Sequence, residues 1–352
     1  MKRIVITGGA GFVGSSLAVW LRETLGADVI CLDNLKRRGS ELTLPRLKQC
    51  GIRFVHGDVR QRDDLAALPQ AEVLIECSAE PSVLAGNNGQ GLYLLDTNLM
   101  GAVNCFEYAR QTGAAVVFLS TSRVYPFDRL RHVPLAPGET RFLWQGESLP
   151  GVGPGGVKED FPLAGRRSLY GASKLAAELL LTEYGDIYGF PYIINRCGVL
   201  TGPWQFGKTD QGVFMYWLLS HFLNSPLQYI GYGGEGKQVR DFLHVHDLAE
   251  LVVLQLRNLE ACSGKTYNAG GGPGNSLSLR ETSSLCRELT GNRVPITGVA
   301  EDRAADIPWF ITDSTLIGQD LGWKPQRGAE QTFSEMFAWM REYKEQLVAS
   351  LR

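Results

Sequence analysis

The first fourteen residues constrain everything that follows. Ile4, Val5 and Ile6 run as a short apolar strand into Thr7-Gly8-Gly9-Ala10-Gly11-Phe12-Val13-Gly14, and an apolar helical spacing follows at Phe12, Leu17, Trp20, Leu21 and Leu25. A buried strand turning sharply into a helix leaves the first backbone N–H groups of that helix without partners, which makes the turn an anion site. Gly8, Gly11 and Gly14 let a diphosphate approach that backbone closely. The Gly-x-x-Gly-x-x-Gly spacing departs from the general Gly-x-Gly-x-x-Gly fingerprint, so its meaning rests on its surroundings. Those surroundings agree: a second strand, Asp28-Val29-Ile30-Cys31-Leu32, ends in Asp33, placed to accept hydrogen bonds from both hydroxyls of an adenosine ribose.

Strands and helices then alternate. Arg53-Phe54-Val55-His56-Gly57 reads as a third strand, and at its end Asp58 is placed to meet an adenine amino group while Val59 packs on the ring. Glu72-Val73-Leu74-Ile75-Glu76-Cys77 reads as a fourth strand, ending in Ser78 and Ala79, small enough for a cofactor to lie close. Helical spacing runs from Leu92 to Arg110, and a fifth strand from Ala114 to Leu119 ends in Ser120-Thr121-Ser122. This pattern predicts an α/β fold: a doubly wound parallel (Rossmann) sheet with its site along the carboxyl edge, followed by a smaller α/β C-terminal substrate lobe. The polar loop after Asp33 carries Arg37 and Arg38, which either meet a 2′-phosphate or form a solvated basic loop. Asp33 would repel that phosphate, so NAD is favoured over NADP.

Composition narrows the partners. Among 352 residues, 35 Lys and Arg nearly balance 37 Asp and Glu, for a net charge of −2, which gives no electrostatic case for nucleic acid. Seven cysteines at 31, 50, 77, 105, 197, 262 and 286 form no C-x-x-C pair, as expected of reduced thiols in a cytoplasmic protein. The first residues run directly into a strand and no apolar run reaches about 18 residues, so neither a leader nor a membrane is expected. His244 and His246, at i and i+2, point to opposite faces of a strand, and no metal site is predicted.

Ser168-Leu169-Tyr170-Gly171-Ala172-Ser173-Lys174 opens a strong helix to about Tyr188, placing Tyr170 and Lys174 on one face. A phenol of pKa ~10 is a poor base at neutral pH. A nearby ammonium and a positively charged nicotinamide would lower that pKa and let Tyr170 take a proton from a sugar hydroxyl.

With these motifs in place, the chain resembles the extended short-chain dehydrogenase/reductase family, specifically its NAD-dependent nucleotide-sugar epimerases and dehydratases. The matching residues are Gly8 to Gly14, Asp33-Asn34, Asp58-Val59, Asn98, Ser120-Thr121, Tyr170 and Lys174, spread over nearly the whole chain. The resemblance implies a catalytic set of Thr121, Tyr170 and Lys174 and a bound NAD. It implies a cofactor surface of Gly8, Gly11, Phe12, Val13, Gly14, Asp33, Asn34, Asp58, Val59, Ser78, Ala79, Asn98, Ser120, Tyr170 and Lys174. It also implies a homo-oligomer, paired through the helices near 92–110 and 170–188. The stretches from Arg196 to Phe206, Asp210-Gln211-Gly212 and Gly236 to His244 resemble the CDP-paratose 2-epimerase branch, as does Glu139-Thr140-Arg141. This implies a CDP-sugar substrate whose diphosphate meets Arg240 and Arg303, in a pocket with Ser122, Arg123, Gln205, Phe206, Gln211 and Gln238.

One departure bears on the reaction. Dehydratases of this family carry an Asp-Glu pair just after the catalytic Thr, whereas this chain has Ser122-Arg123. Without those carboxyl groups elimination of water lacks its general acid and base, while epimerisation by transient oxidation needs neither. Residue chemistry leaves C2 and C4 of the sugar equally open. Residues 1–198 with 237–262 are expected to form the cofactor domain, and 199–236 with 263–352 the substrate lobe. The Pro- and Gly-rich segment 126–167 either covers the substrate or is a surface insertion.

Overall fold

The computed structural model of the protein describes residues 2–86, 89–206 and 212–351. Seven strands, β1 (Arg3–Thr7), β2 (Asp28–Asp33), β3 (Arg53–His56), β4 (Val73–Glu76), β5 (Ala115–Thr121), β6 (Tyr192–Cys197) and β7 (Lys265–Ala269), build one sheet. Its order is β7-β6-β5-β4-β1-β2-β3, with every neighbouring pair parallel. All of β4 and β5 is buried, as parallel strands covered on both faces must be.

Four helices supply most of that cover: α1 (Phe12–Leu25), α2 (Gly101–Thr112), α3 (Leu169–Tyr188) and α4 (Val245–Arg257). On one face Leu17 and Leu21 of α1 meet Leu248, Leu251 and Val252 of α4. On the other, Phe106 and Ala109 of α2 pack with Ala177 and Leu181 of α3. The chain runs from β1 outward to β3 and returns to the far side of β1 with β4. That reversal opens a crevice at the carboxyl ends of β1 and β4, where ligands bind in such sheets.

A second lobe carries a four-stranded sheet of Val199–Thr201, Val239–His244, Ser276–Ser278 and Trp309–Phe310. Beside it lies a parallel pair, Leu227–Ile230 with Ile296–Val299. The lobe has its own aromatic core, including Phe214, Trp217, Phe242 and Phe333. Its helix Leu279–Thr290 starts at a capping box in which Ser278 and Glu281 satisfy each other's backbone N–H groups.

The structure corrects several expectations. A boundary at 262/263 does not hold, because β7 pairs with β6 and covers what would be an open sheet edge. Conversely, Val239–His244 belongs to the smaller sheet, and only the helix that follows it returns to the larger one. His244 and His246 do not point apart. The strand ends at His244, α4 begins at Val245, and the two rings lie 4.9 Å apart. The helix expected from Leu92 to Arg110 contains a π-helical turn at Asp96–Met100, between Gly91–Leu95 and α2.

Segment 126–167 is folded and lies away from the crevice. It forms two hairpins, Leu135–Pro137 with Phe142–Trp144 and Val152–Gly153 with Gly156–Val157. Val133, Val152, Val157 and Phe161 bury against Trp309 and Phe310 of the second lobe. Thr140 donates to Glu281 (2.6 Å) and Arg141 forks onto the same carboxylate, holding it down to about 2. Among the described residues no helix is long and apolar enough to cross a membrane.

Candidate active site

One cavity of about 1040 Å³ runs from the glycine turn, across the carboxyl ends of the strands, into the second lobe. At its inner end α1 begins at Gly11 with no side-chain cap and no acidic residue in its first turn, so its first N–H groups face the cavity unopposed. Gly8 sits at φ 63°, and a Cβ on Gly14 would overlap the Gly8 carbonyl oxygen, so the tight turn excludes any larger residue there. Asp33 closes this end, accepting from Ala10 N (3.1 Å) and Leu35 N (2.8 Å). Burial raises its pKa, and those backbone bonds offset part of the rise. Gly8, Gly11, Phe12, Val13, Gly14, Asp33, Asn34, Val59, Ser78, Ala79 and Ser120 all line the cavity. The turn, the uncapped helix start and the carboxylate fit the diphosphate and ribose of NAD. Arg37 donates to Phe206 O (3.3 Å) and Arg38 to Ala349 O (3.4 Å), so both basic side chains of the adjoining loop are tied to the second half of the chain.

Two expected cofactor contacts play other parts. Asp58 is held by Arg60 (2.6 Å) and by Asn34 Nδ2 (2.9 Å), which keep its carboxyl at about 2, and the cavity wall passes through Gly57 and Val59 instead. Asn98, buried on the π turn, accepts from Glu80 N (2.7 Å) and donates to Glu80 O (3.1 Å). It fixes the Ser78–Glu80 loop rather than lining the cavity, which is a use such turns often have.

Thr121, Tyr170 and Lys174 meet at the middle of the cavity, Thr121 from the end of β5 and the others from the first turns of α3. Ser168 caps that helix by accepting from Gly171 N (3.2 Å). The Thr121 hydroxyl faces the Tyr170 phenol and favours its ionised form. Burial raises its pKa, and Lys174 and Thr121 offset this only in part, so the ammonium alone does not bring the phenol below its ordinary value.

Sequence reasoning missed the partner of Lys174. Its Nζ lies 3.3 Å from Glu76 Oε2 at the end of β4, with both side chains almost wholly buried, and sits over the Phe118 ring at 4.0 Å. A glutamate closing an apolar strand is the available signal, because a buried carboxylate needs a partner. A second buried pair lies behind it: Glu178 on α3 binds Arg196 on β6 (2.8 Å) and accepts from Ser120.

The substrate side is mixed. Ser122, Arg123, Gln205, Phe206, Gln238, Arg240 and Arg303 all line the cavity, while Gln211 falls outside the described residues. The Gln205 amide is committed to Thr201 (2.9 Å) and Leu200 O (3.0 Å). Arg240 is bound by Asp306 (2.8 Å) and Ile307 O (2.7 Å), and Arg303 lies exposed at the rim. The far end is walled by Leu227, Gln228 and Ile230 opposite Pro295 and Thr297. These come from two short strands whose backbone edges carry no sequence motif. His244, His246 and Glu335 cluster within 4.8 Å outside this wall. His244 Nδ1 accepts from His246 N (3.1 Å), and its Nε2 lies buried 3.2 Å from Glu335 without a hydrogen-bond partner among the described residues.

Comparison with known proteins agrees with this geometry. The chain is 30% identical to the CDP-paratose 2-epimerase of Salmonella typhi over 96% of its own length and 98% of that protein. The UDP-glucose 4-epimerase of Thermus thermophilus, solved with NAD, superposes with a TM-score of 0.76 at 25% identity, covering 96% of this chain and 99% of that one. A double mutant of the dTDP-glucose 4,6-dehydratase of Streptomyces venezuelae, also with NAD bound, gives 0.79 at 27% identity over 99% of each chain. Residues 4–270 match the family described as the NAD dependent epimerase/dehydratase family, and with three-quarters of its length so matched the chain belongs to that family and uses NAD.

Proposed function

We propose that the protein is a nucleotide-sugar 2-epimerase, converting CDP-paratose to CDP-tyvelose. The observation that carries this reading is the acid-free pair Ser122-Arg123 beside Thr121, Tyr170 and Lys174 in one cavity. Oxidation and reduction have their residues there, and elimination of water has none at those positions. The similarity to the CDP-paratose 2-epimerase of Salmonella typhi supports the choice of sugar and carbon.

NAD held at the glycine turn and Asp33 would supply the hydride acceptor and donor for the sugar carbon and a positive charge beside Tyr170. Thr121 orients the ring hydroxyl, Tyr170 takes its proton and later gives it back, and Lys174 steadies the phenolate. Between the two transfers the keto-sugar presents its other face, and a cavity of about 1040 Å³ leaves room for that turn. The test is CDP-paratose in D2O followed by NMR. CDP-tyvelose without deuterium at C2 is expected. Deuterium at C2 would mean proton exchange through an enol and would exclude hydride return.

The second reading is a UDP-sugar 4-epimerase, favoured by the likeness to the Thermus thermophilus enzyme. Trapping the keto intermediate locates the oxidised carbon and separates the two. We also assign the protein a homodimer in the cytoplasm. Leu92, Leu179, Ile187 and Tyr188 are exposed on the helices expected to pair, and sedimentation of a Leu179→Glu, Ile187→Glu variant as a monomer is the matching outcome.

A further inference from the structure

Arg123 stands apart from the other arginines deep in the site. Arg196 is neutralised by Glu178 and Arg240 by Asp306, but the guanidinium of Arg123 has no hydrogen-bond or ion-pair partner among the described residues. Its backbone is fixed from two sides. Arg123 N donates to Thr121 Oγ1 (3.2 Å), and Gly171 of α3 packs so closely on the Arg123 carbonyl that a Cβ there would overlap it. The side chain lines the cavity, and its charge is felt by the Tyr170 phenol. Burial and the neighbouring Arg240 both act against its charge, while Asp306, already bound to Arg240, offsets this only in part. A cation held without a counterion in a partly buried wall is costly, and an arriving anion removes the cost.

Resting on the nucleotide-sugar reading above, we infer that Arg123 grips the sugar-linked phosphate of the substrate, and that this contact brings C2 to Tyr170. In a nucleotide sugar that phosphorus is separated from C2 only by C1 and the glycosidic oxygen. From C4 two further ring atoms intervene, and the phosphate lies across the ring. A free guanidinium beside the base therefore suits a sugar oxidised next to its anomeric carbon. Anchored there, the ring can turn about the bonds to the phosphate without leaving the site. Arg303, exposed at the rim, is left for the nucleotide-linked phosphate. A guanidinium fork suits phosphate oxygens, and a lysine replaces its charge but not its geometry.

The test titrates the NAD-loaded protein with CDP and UDP, then with UDP-glucose and UDP-glucuronate, in the wild type, Arg123→Gln and Arg123→Lys. Thermal melts and NAD content check that the variants are folded. Arg123→Gln should weaken the nucleoside diphosphate about ten- to a hundredfold, and Arg123→Lys much less. Unchanged CDP and UDP binding in Arg123→Gln overturns the assignment. So does a loss confined to UDP-glucuronate, which would place the anion on the sugar as a carboxylate. The titration needs no turnover, so its failure is separate from failure of the C2 reading in the D2O experiment. A wild type that binds no nucleotide overturns both.

Discussion

Replacing Glu76 with Leu tests the buried pair at the centre of the site. Glu76 and Lys174 side chains are 1% and 2% exposed, and their contact of 3.3 Å is the one ion pair that Lys174 makes among the described residues. Removing one partner of such a pair costs about 3–5 kcal/mol, because the remaining charge is left uncompensated. Lys174 borders the cavity, where its ammonium can shift on loss of its partner, so the lower end, about 3 kcal/mol, applies. For 352 residues, unfolding entropy is about 0.7 kcal/mol/K, which makes the expected fall in melting temperature about 4 °C. Lys174→Met alone should also destabilise, while Glu76→Leu with Lys174→Met should recover most of the loss. Differential scanning calorimetry of the four proteins gives the coupling. A coupling below about 0.5 kcal/mol, within the scatter of independent sites, would show that Glu76 does not hold Lys174.

Three further outcomes follow from the geometry. Tyr170→Phe should lower turnover by about 10²–10⁴-fold with NAD content unchanged, and a loss under about tenfold would remove Tyr170 as the proton acceptor. Gly14→Ala, with its Cβ against the Gly8 carbonyl, should purify with little or no NAD, measured as nucleotide released on denaturation; full occupancy would contradict the turn's role. Burial holds His244 and His246 down to about 4, below the ~6.5 of an unfolded chain. Between those values the unfolded state binds more protons, so this contribution to stability is present above about pH 6.5 and lost as pH falls towards 4. Acidification from pH 7 to 4.5 should then lower the melting temperature less in His244→Phe than in the wild type. An equal drop would mean that His244 is not held neutral.

How much was legible follows from sequence distance. The glycine turn, Asp33 and the Tyr170–Lys174 spacing are local. Backbone geometry alone puts glycines at a strand-to-helix turn and residues four apart on one helical face, and these features lie in the structure where the sequence placed them. The parallel sheet was legible for the same reason, as alternating strands and helices leave few other arrangements.

Contacts between distant segments settled the rest. Lys174 finds Glu76 across 98 residues, Arg240 finds Asp306 across 66, and Asn98 on the π turn is held by Glu80 across 18. The proline- and glycine-rich segment could be read only by its composition. Its place against Trp309 and Phe310 depends on apolar side chains that bear no local pattern. β7 joins the larger sheet because β6 has an edge to cover, a condition no stretch of sequence contains alone. The glycine turn, the helix that carries Tyr170 and Lys174, and the order of elements were therefore written in the chain, since each obeys a rule of the local backbone. Which charges are paired, and which stands without a partner among the described residues, came from the folded molecule, because sheet order and packing bring those groups together.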